Sequence, residues 1–143
     1  MVVDVEFQER YWYPDDGGQV WVSGFQLVDA DGRFLARGAL PPDLLVAWVA
    51  GAIHRPDALS SDQLTPGAPL VLRPEPFNEH DPHAVAVDLT SGEPLGYVPR
   101  EFAPRVDGSW SALVLRERRR SPRAARDGVT MLLAAEPVEL RVR

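Results

Sequence analysis

Along residues 3–13 apolar and polar positions alternate. Val3, Val5, Phe7, Tyr11 and Tyr13 form one set, and Glu9 is its one interruption. A period of two predicts a strand with one buried face. The PDDGG stretch at 14–18 predicts a turn, because glycine reaches positive φ without steric cost. Residues 19–28 predict a second strand, Asp31-Gly32 a hairpin turn, and residues 33–37 a short third strand. Leu40-Pro41-Pro42-Asp43 then interrupts the chain. The pattern therefore divides the sequence into an N-terminal β-meander extension, 1–43, and a second domain, 44–143.

Residues 44–53 are apolar throughout and fit either helix or strand by pattern alone. Residues 56–64 predict a loop with at most one helical turn. Residues 70–73 and 84–89 read as strands around a proline-bounded polar turn, and Ser91-Gly92 predicts a hairpin into a strand over 95–98. Pro99 suits the first turn of a helix, where its missing N–H needs no partner, and that helix is expected to reach about residue 105. Residues 110–116, 129–135 and 138–142 complete the strands. Many short strands with frequent turns indicate a mainly β barrel or sandwich.

Composition narrows the chemistry. The chain has 143 residues, enough for one core, and no stretch approaches the ~20 apolar residues that span a bilayer. The first residues lack the basic head and apolar centre of a signal peptide, so a cytoplasmic location is expected. There is no Cys, which excludes disulfides and thiol chemistry. All 15 basic residues are Arg, so Schiff-base and P-loop lysines are excluded too. Net charge is -6 but unevenly spread. Residues 1–48 hold three Arg against eight acidic residues; residues 100–126 hold eight Arg against three. A local basic stripe on an acidic body suits a polyanion at one face only.

Two segments carry a family resemblance. LVLRPEPFNEHDPHAVAV occupies 70–87, and LGYVPREFA occupies 95–103. Together they resemble the HIRAN domain: an apolar strand, a Glu-Pro-x-Asn-x-x-Asp turn, an Ala-Val-x-Val strand, and Gly-Tyr-Val-Pro-Arg. The resemblance covers roughly residues 49–141. It implies a six-stranded OB- or SH3-like barrel with one or two short helices, and a strand ending at Val49-Ala50-Gly51. It also implies a role like that of the domain in helicase-like fork-remodelling translocases, where it captures a single-stranded 3′ DNA end. Small bacterial and phage proteins carry it alone.

The resemblance also assigns residues. His80 takes the position of an aromatic that stacks on the terminal base, and Asp81 that of the acceptor for the 3′-hydroxyl. Asn78 braces the turn. His54 takes the position of a second stacking residue on the strand after the Val-x-Gly step; Arg55 lies beside it, one residue from the position of a family Arg, which here is Ile53. DNA-binding members tend to have Tyr where this chain has His54 and His80. From the residues alone, the Asn78–His83 turn is equally a local Asx-stabilised structure, His54 an ordinary surface residue, and Tyr97 a core residue. Arg100 at a helix start is either solvated or a phosphate contact, and the resemblance favours the contact. The run RERRRSPRAAR, with Arg118, Arg119 and Arg120 at its centre, is either a solvated hairpin or a phosphate-binding loop.

His80-x-x-His83 with Glu79 and Asp81 offers metal-ligand types, but Pro82 separates the histidines and only His54 lies elsewhere, so no metal or other cofactor is expected. No catalytic motif stands out. The expected function is non-catalytic binding of nucleic acid, single-stranded 3′ DNA ends foremost, in repair, replication or defence. The alternative is a protein-interaction or adaptor module using the aromatic extension, with Tyr11, Trp12, Tyr13, Trp21 and Phe25. A metal-dependent hydrolase ranks last.

Overall fold

The computed structural model describes residues 1–13 and 18–143. The turn expected at 14–18 falls almost wholly outside the described residues. The fold is mainly β: β1 (Val2–Trp12), β2 (Val20–Leu27), β3 (Leu44–Trp48), β4 (Pro69–Pro74), β5 (Val85–Asp88), β6 (Pro94–Tyr97), β7 (Ser111–Arg119), β8 (Arg126–Ala134) and β9 (Glu139–Val142). One short helix, α1 (Pro56–Leu59), and single 3-10 turns connect them. No helix among the described residues is long and apolar enough to cross a membrane.

The strand β7 organises the sheet. One edge pairs with β8 along its length. The other edge is shared: Ala112 and Leu113 pair with β4, while Arg116 to Arg119 pair with β2. Register shifts between Val114 and Arg116, and again between Arg118 and Arg119, accompany this change of partner, since an extra residue bends and twists a strand. From β4 the sheet continues through β5 to β6. From β2 it continues through β1 to β9, and β9 runs parallel to β1, so the sheet is mixed. Gly24 in β2 has φ 147, and a Cβ there would stand 2.3 Å from the Leu115 carbonyl oxygen; no other residue allows β2 this close to β7.

The expected closed six-stranded barrel is realised only in part. The path β3-β8-β7-β4-β5-β6 exists, but its two ends meet through one bridge pair, Ala50 with Tyr97, instead of a ladder. The sheet stays open. Two further expectations give way. Residues 33–37 form no strand; Phe34 makes one bridge to Val28, and Arg37–Ala39 is a 3-10 turn. The helix expected after Pro99 reduces to turns ending in the 3-10 segment Ala103–Arg105, because Pro104 offers no N–H to continue it.

The apolar run at 44–53 is explained by burial on two sides. Leu45 and Ala47, with Ala112, Val114, Met131 and Leu133, face a first core shared with α1 and with β4 to β6. Leu44 and Val46, with Leu115, Leu132 and Ala134, face a second core under Val3, Val5 and Leu27. A strand covered on both faces shows no alternation. The extension thus forms a second layer. Its β1–β2 hairpin outruns that core: Val3 and Val5 are buried, whereas Phe7 is 46% exposed and Tyr11 41%.

Candidate nucleic-acid interface

The polar turn after β4 is built from its own side chains. The Asn78 side-chain oxygen accepts from the backbone N–H of His80 (2.9 Å) and of Asp81 (3.1 Å), and its amide donates to Glu75 Oε1 (3.0 Å). Asp81 Oδ1 accepts from the His83 N–H (2.9 Å), a second Asx turn. The expected bracing role of Asn78 is therefore visible bond by bond.

Glu75 is the hub beneath this turn. Besides Asn78 it accepts the Tyr97 hydroxyl (2.9 Å) and Arg73 Nη1 (2.8 Å). Arg73 in turn grips the buried Asp88 through Nε (2.8 Å) and Nη2 (3.3 Å). Donation by Asn78, then Tyr97, holds the Glu75 carboxyl below its ordinary range against the opposing effect of burial, and Arg73 adds a lesser share. The same bond pushes the Tyr97 phenol up. Asp88 and then Glu75 hold the Arg73 guanidinium still more firmly charged than usual. The sequence reading assigned no role to Arg73, Glu75 or Asp88. A signal was present: Glu75 opens the family turn motif, and Arg73 and Asp88 lie on adjacent strands.

Next to this network lies a groove of about 430 Å³ lined by Ala50, Asn78, His80, Asp81, Ala84, Tyr97, Val98 and Arg100. The Ala50–Tyr97 bridge joins two of its lining residues, with N···O distances of 2.8 and 2.9 Å. Gly96 makes that bridge possible, since a Cβ there would stand 2.4 Å from the Ala50 carbonyl oxygen. Arg100 reaches across the groove: Nη2 donates to the His80 carbonyl (2.9 Å), and Nε lies 3.6 Å from Asp81 Oδ2. Arg100 remains largely exposed, and its contacts leave donors for a phosphate. Tyr97 is half exposed and is not a core residue.

His54 and Arg55 sit differently from the expectation. After Gly51 the chain turns at φ 78 into the 3-10 segment Ala52–His54, so no strand carries His54. His54 and Arg55 line a separate depression with Pro56, Asp57, Ala58, Glu93 and Pro94. Arg55 still acts electrostatically on the Tyr97 hydroxyl.

The arginine run is largely committed to the fold. Arg119 Nε binds Glu117 (3.0 Å) and its Nη1 the Ala124 carbonyl (2.6 Å). Arg126 binds Glu117 (2.5 Å) and the carbonyls of Leu59 (3.0 Å) and Ser61 (2.9 Å). Arg118 pairs with Asp127 (3.0 Å) beside a cavity of about 200 Å³ that Trp48 and Ile53 also line. Arg120 and Arg123 are exposed. Phe77, which sequence reasoning passed over, is 96% exposed on the Glu75–Asn78 turn. Among the described residues no cluster of three metal-ligating side chains forms.

A family model described as the HIRAN domain matches residues 48–131, more than half of the chain. The chain belongs to the HIRAN domain family. HIRAN domains are nucleic-acid-binding modules and not catalytic ones, which supports a DNA-binding role. The groove and its supporting network lie inside the matched segment; the β1–β2 hairpin lies outside it. Among solved structures the chain is similar to the crystal structure of the HIRAN domain of human HLTF, at 16% identity over 66% of this chain and 78% of that chain, with a TM-score of 0.44. No curated protein matches it.

Proposed function

We propose that this protein binds single-stranded nucleic acid, and that the groove between the Asn78–Asp81 turn and Tyr97–Arg100 takes a free 3′ end. The observation that carries this reading is the convergence of a carboxylate, an arginine and two aromatic rings on one groove within the family segment. His80 and Tyr97 supply ring faces for a terminal base. Stacking contributes ~1–3 kcal/mol per base whatever its identity. Arg100 offers a fork to the first backbone phosphate. Asp81 has one oxygen held by the His83 N–H; its other oxygen, next to Arg100, is positioned to accept from a 3′-hydroxyl.

A carboxylate at that place discriminates. It accepts from a hydroxyl and repels a terminal phosphate. Losing a hydrogen bond to a charged group costs ~1.5–3 kcal/mol, so a 3′-phosphate should weaken binding about tenfold or more. Fluorescence anisotropy with one oligonucleotide carrying either 3′ end tests this. Asp81→Asn should shrink the difference, because an amide carries no charge and can donate. Equal affinity of the wild type for both ends would remove the end-capture reading. Arg55, Arg118 and Arg120 lie on the outer path of the strand as salt-dependent phosphate contacts, and His54 offers a ring to a further base. A role in repair, replication or defence, through a motor or partner protein, follows from the same reading, as does a cytoplasmic location.

A further inference from the structure

The β1 strand is covered on its second side only at its start. Its partner there, β9, pairs with residues 2–5, and the Arg143 N–H closes that ladder on the Val5 carbonyl (2.9 Å). From Glu6 to Trp12 no described residue pairs with that edge, whereas the β2 side is paired throughout without a register break. The direction of the free groups follows from the two carbonyls at the boundary. Asp4 accepts from Val28, toward β2; Val5 accepts from Arg143, away from it. With a period of two, Phe7, Glu9 and Tyr11 present their N–H and C=O groups to the open edge.

Such an edge is a template for another strand, and proteins usually blunt one with Pro, charged side chains, a bulge or a cover. Residues 6–12 contain no Pro, their register with β2 is continuous, and of their charged residues Glu6 and Arg10 turn their backbone groups toward β2, leaving Glu9 alone at an outward position. The side chains flanking the edge are ordered. Phe7 stacks edge-on against Phe25 with ring centres 5.6 Å apart, and Tyr11 against Trp21 at 5.0 Å. Between them Glu9 accepts from the Ser23 hydroxyl (3.1 Å). The face next to the edge therefore reads aromatic, acidic, aromatic.

We infer that the open edge of β1 is a strand-addition site for an extended segment of another protein, whose residues on this face alternate apolar, basic, apolar. Main-chain hydrogen bonds from Phe7, Glu9 and Tyr11 would supply affinity, and the three side chains would supply selection. A cation opposite Glu9 completes the row, in keeping with the acidic balance of residues 1–48. A second copy of this chain fits worse. The symmetric antiparallel register that uses all three outward residues sets Glu9 against Glu9, and like charges directly opposite destabilise a sheet. Shifting that register toward Val5 loses a pair to β9, and shifting it toward Tyr13 calls on a residue beyond the strand.

The inference lies outside the nucleic-acid groove and stands or falls separately from it. The probe is a synthetic peptide, acetyl-Thr-Val-Thr-Arg-Thr-Val-Thr-amide, added to the full chain and followed by amide hydrogen exchange. The expected result is slower exchange at Phe7, Glu9 and Tyr11. Replacing the peptide's Arg by Glu should weaken binding roughly fivefold or more, and Glu9→Arg in the protein should reverse that preference. Glu9→Pro removes an N–H that points away from β2, so it should abolish binding, while its melting curve should match that of Glu9→Ala, which loses the same bond from Ser23 but keeps the N–H. Unchanged exchange at the three amides under excess peptide would overturn the inference. So would indifference of binding to the Glu9→Arg reversal, or a wild-type dimer in sedimentation that Glu9→Pro dissolves, since the occupant would then be a second copy.

Discussion

Removing the Glu117 carboxylate should cost more stability than removing any arginine of the neighbouring run. Glu117 sits in β7 with only 12% of its side chain exposed, between Arg119 and Arg126. Arg126 is itself 10% exposed. Breaking a buried pair by deleting one partner typically costs about 3–5 kcal/mol, because the other charge is left buried and uncompensated. Here Arg126 keeps the Leu59 and Ser61 carbonyls, and Arg119 keeps the Ala124 carbonyl. Those acceptors offset part of the loss, which places Glu117→Ala at about 2–4 kcal/mol. For a chain of this size that corresponds to a fall in Tm on the order of 10 °C. Urea denaturation of wild type and Glu117→Ala, read by tryptophan fluorescence, gives the difference directly. Burial pushes the Glu117 carboxyl up, yet the bonds from Arg119 and Arg126 outweigh it, so its folded pKa is lowered. Its stabilisation is therefore present above the ordinary carboxylate pKa and is lost as pH falls through the lower folded value. The gap between the two proteins should close on acidification below about pH 4.5. A gap under about 0.5 kcal/mol at neutral pH would refute the clamp and return Arg119 and Arg126 to the pool of free phosphate ligands.

The Glu75 hub should behave alike in pH: its lowered pKa means that Glu75→Gln narrows its deficit against wild type only in acid, a comparison of urea midpoints at pH 7 and pH 3. Replacing Asn78 by Ala should cost about 1–2 kcal/mol, because two N–H groups and Glu75 lose a partner, and amide exchange at His80 and Asp81 should rise. Changing Arg118 and Arg120 together to Ala should leave the Tm within a few degrees and flatten the log K against log salt slope for single strands by about 0.7 for each phosphate that an arginine no longer neutralises. Phe77→Ala should leave stability within about 0.5 kcal/mol, since the ring is almost wholly exposed, while weakening oligonucleotide binding if the ring meets a base, as titration of the variant would show.

Alternation made the edges of the fold legible and its centre ambiguous. The β1 strand was readable because its odd positions, Glu9 apart, are apolar and its even ones mostly polar, although the fold buries only Val3 and Val5 of that set. The run at 44–53 was not, because β3 lies between two cores and a doubly buried strand has no period. Nor could pattern reveal that β7 divides one edge between β4 and β2, a change of partner accompanied by register shifts against β8. At the groove, the Asx chemistry of Asn78 and Asp81 was written in residue type and spacing. The Glu75–Tyr97 bond, across 22 positions, depends on the return of β6 beside β5 and was not. Composition alone could not apportion the arginine run: it counts cations, and only the fold shows that Glu117 and backbone carbonyls already hold Arg119 and Arg126.

The central claim is that nucleic acid enters the groove between the polar turn and the segment after β6. The most direct test is amide NMR of the full chain titrated with a ten-nucleotide single strand bearing a free 3′-hydroxyl. Saturating shifts should concentrate at Asn78, His80, Asp81, Tyr97 and Arg100, and should weaken in Asp81→Asn. Shifts confined to the β1–β2 hairpin or to the Arg120 loop, with the groove amides unmoved, would contradict it.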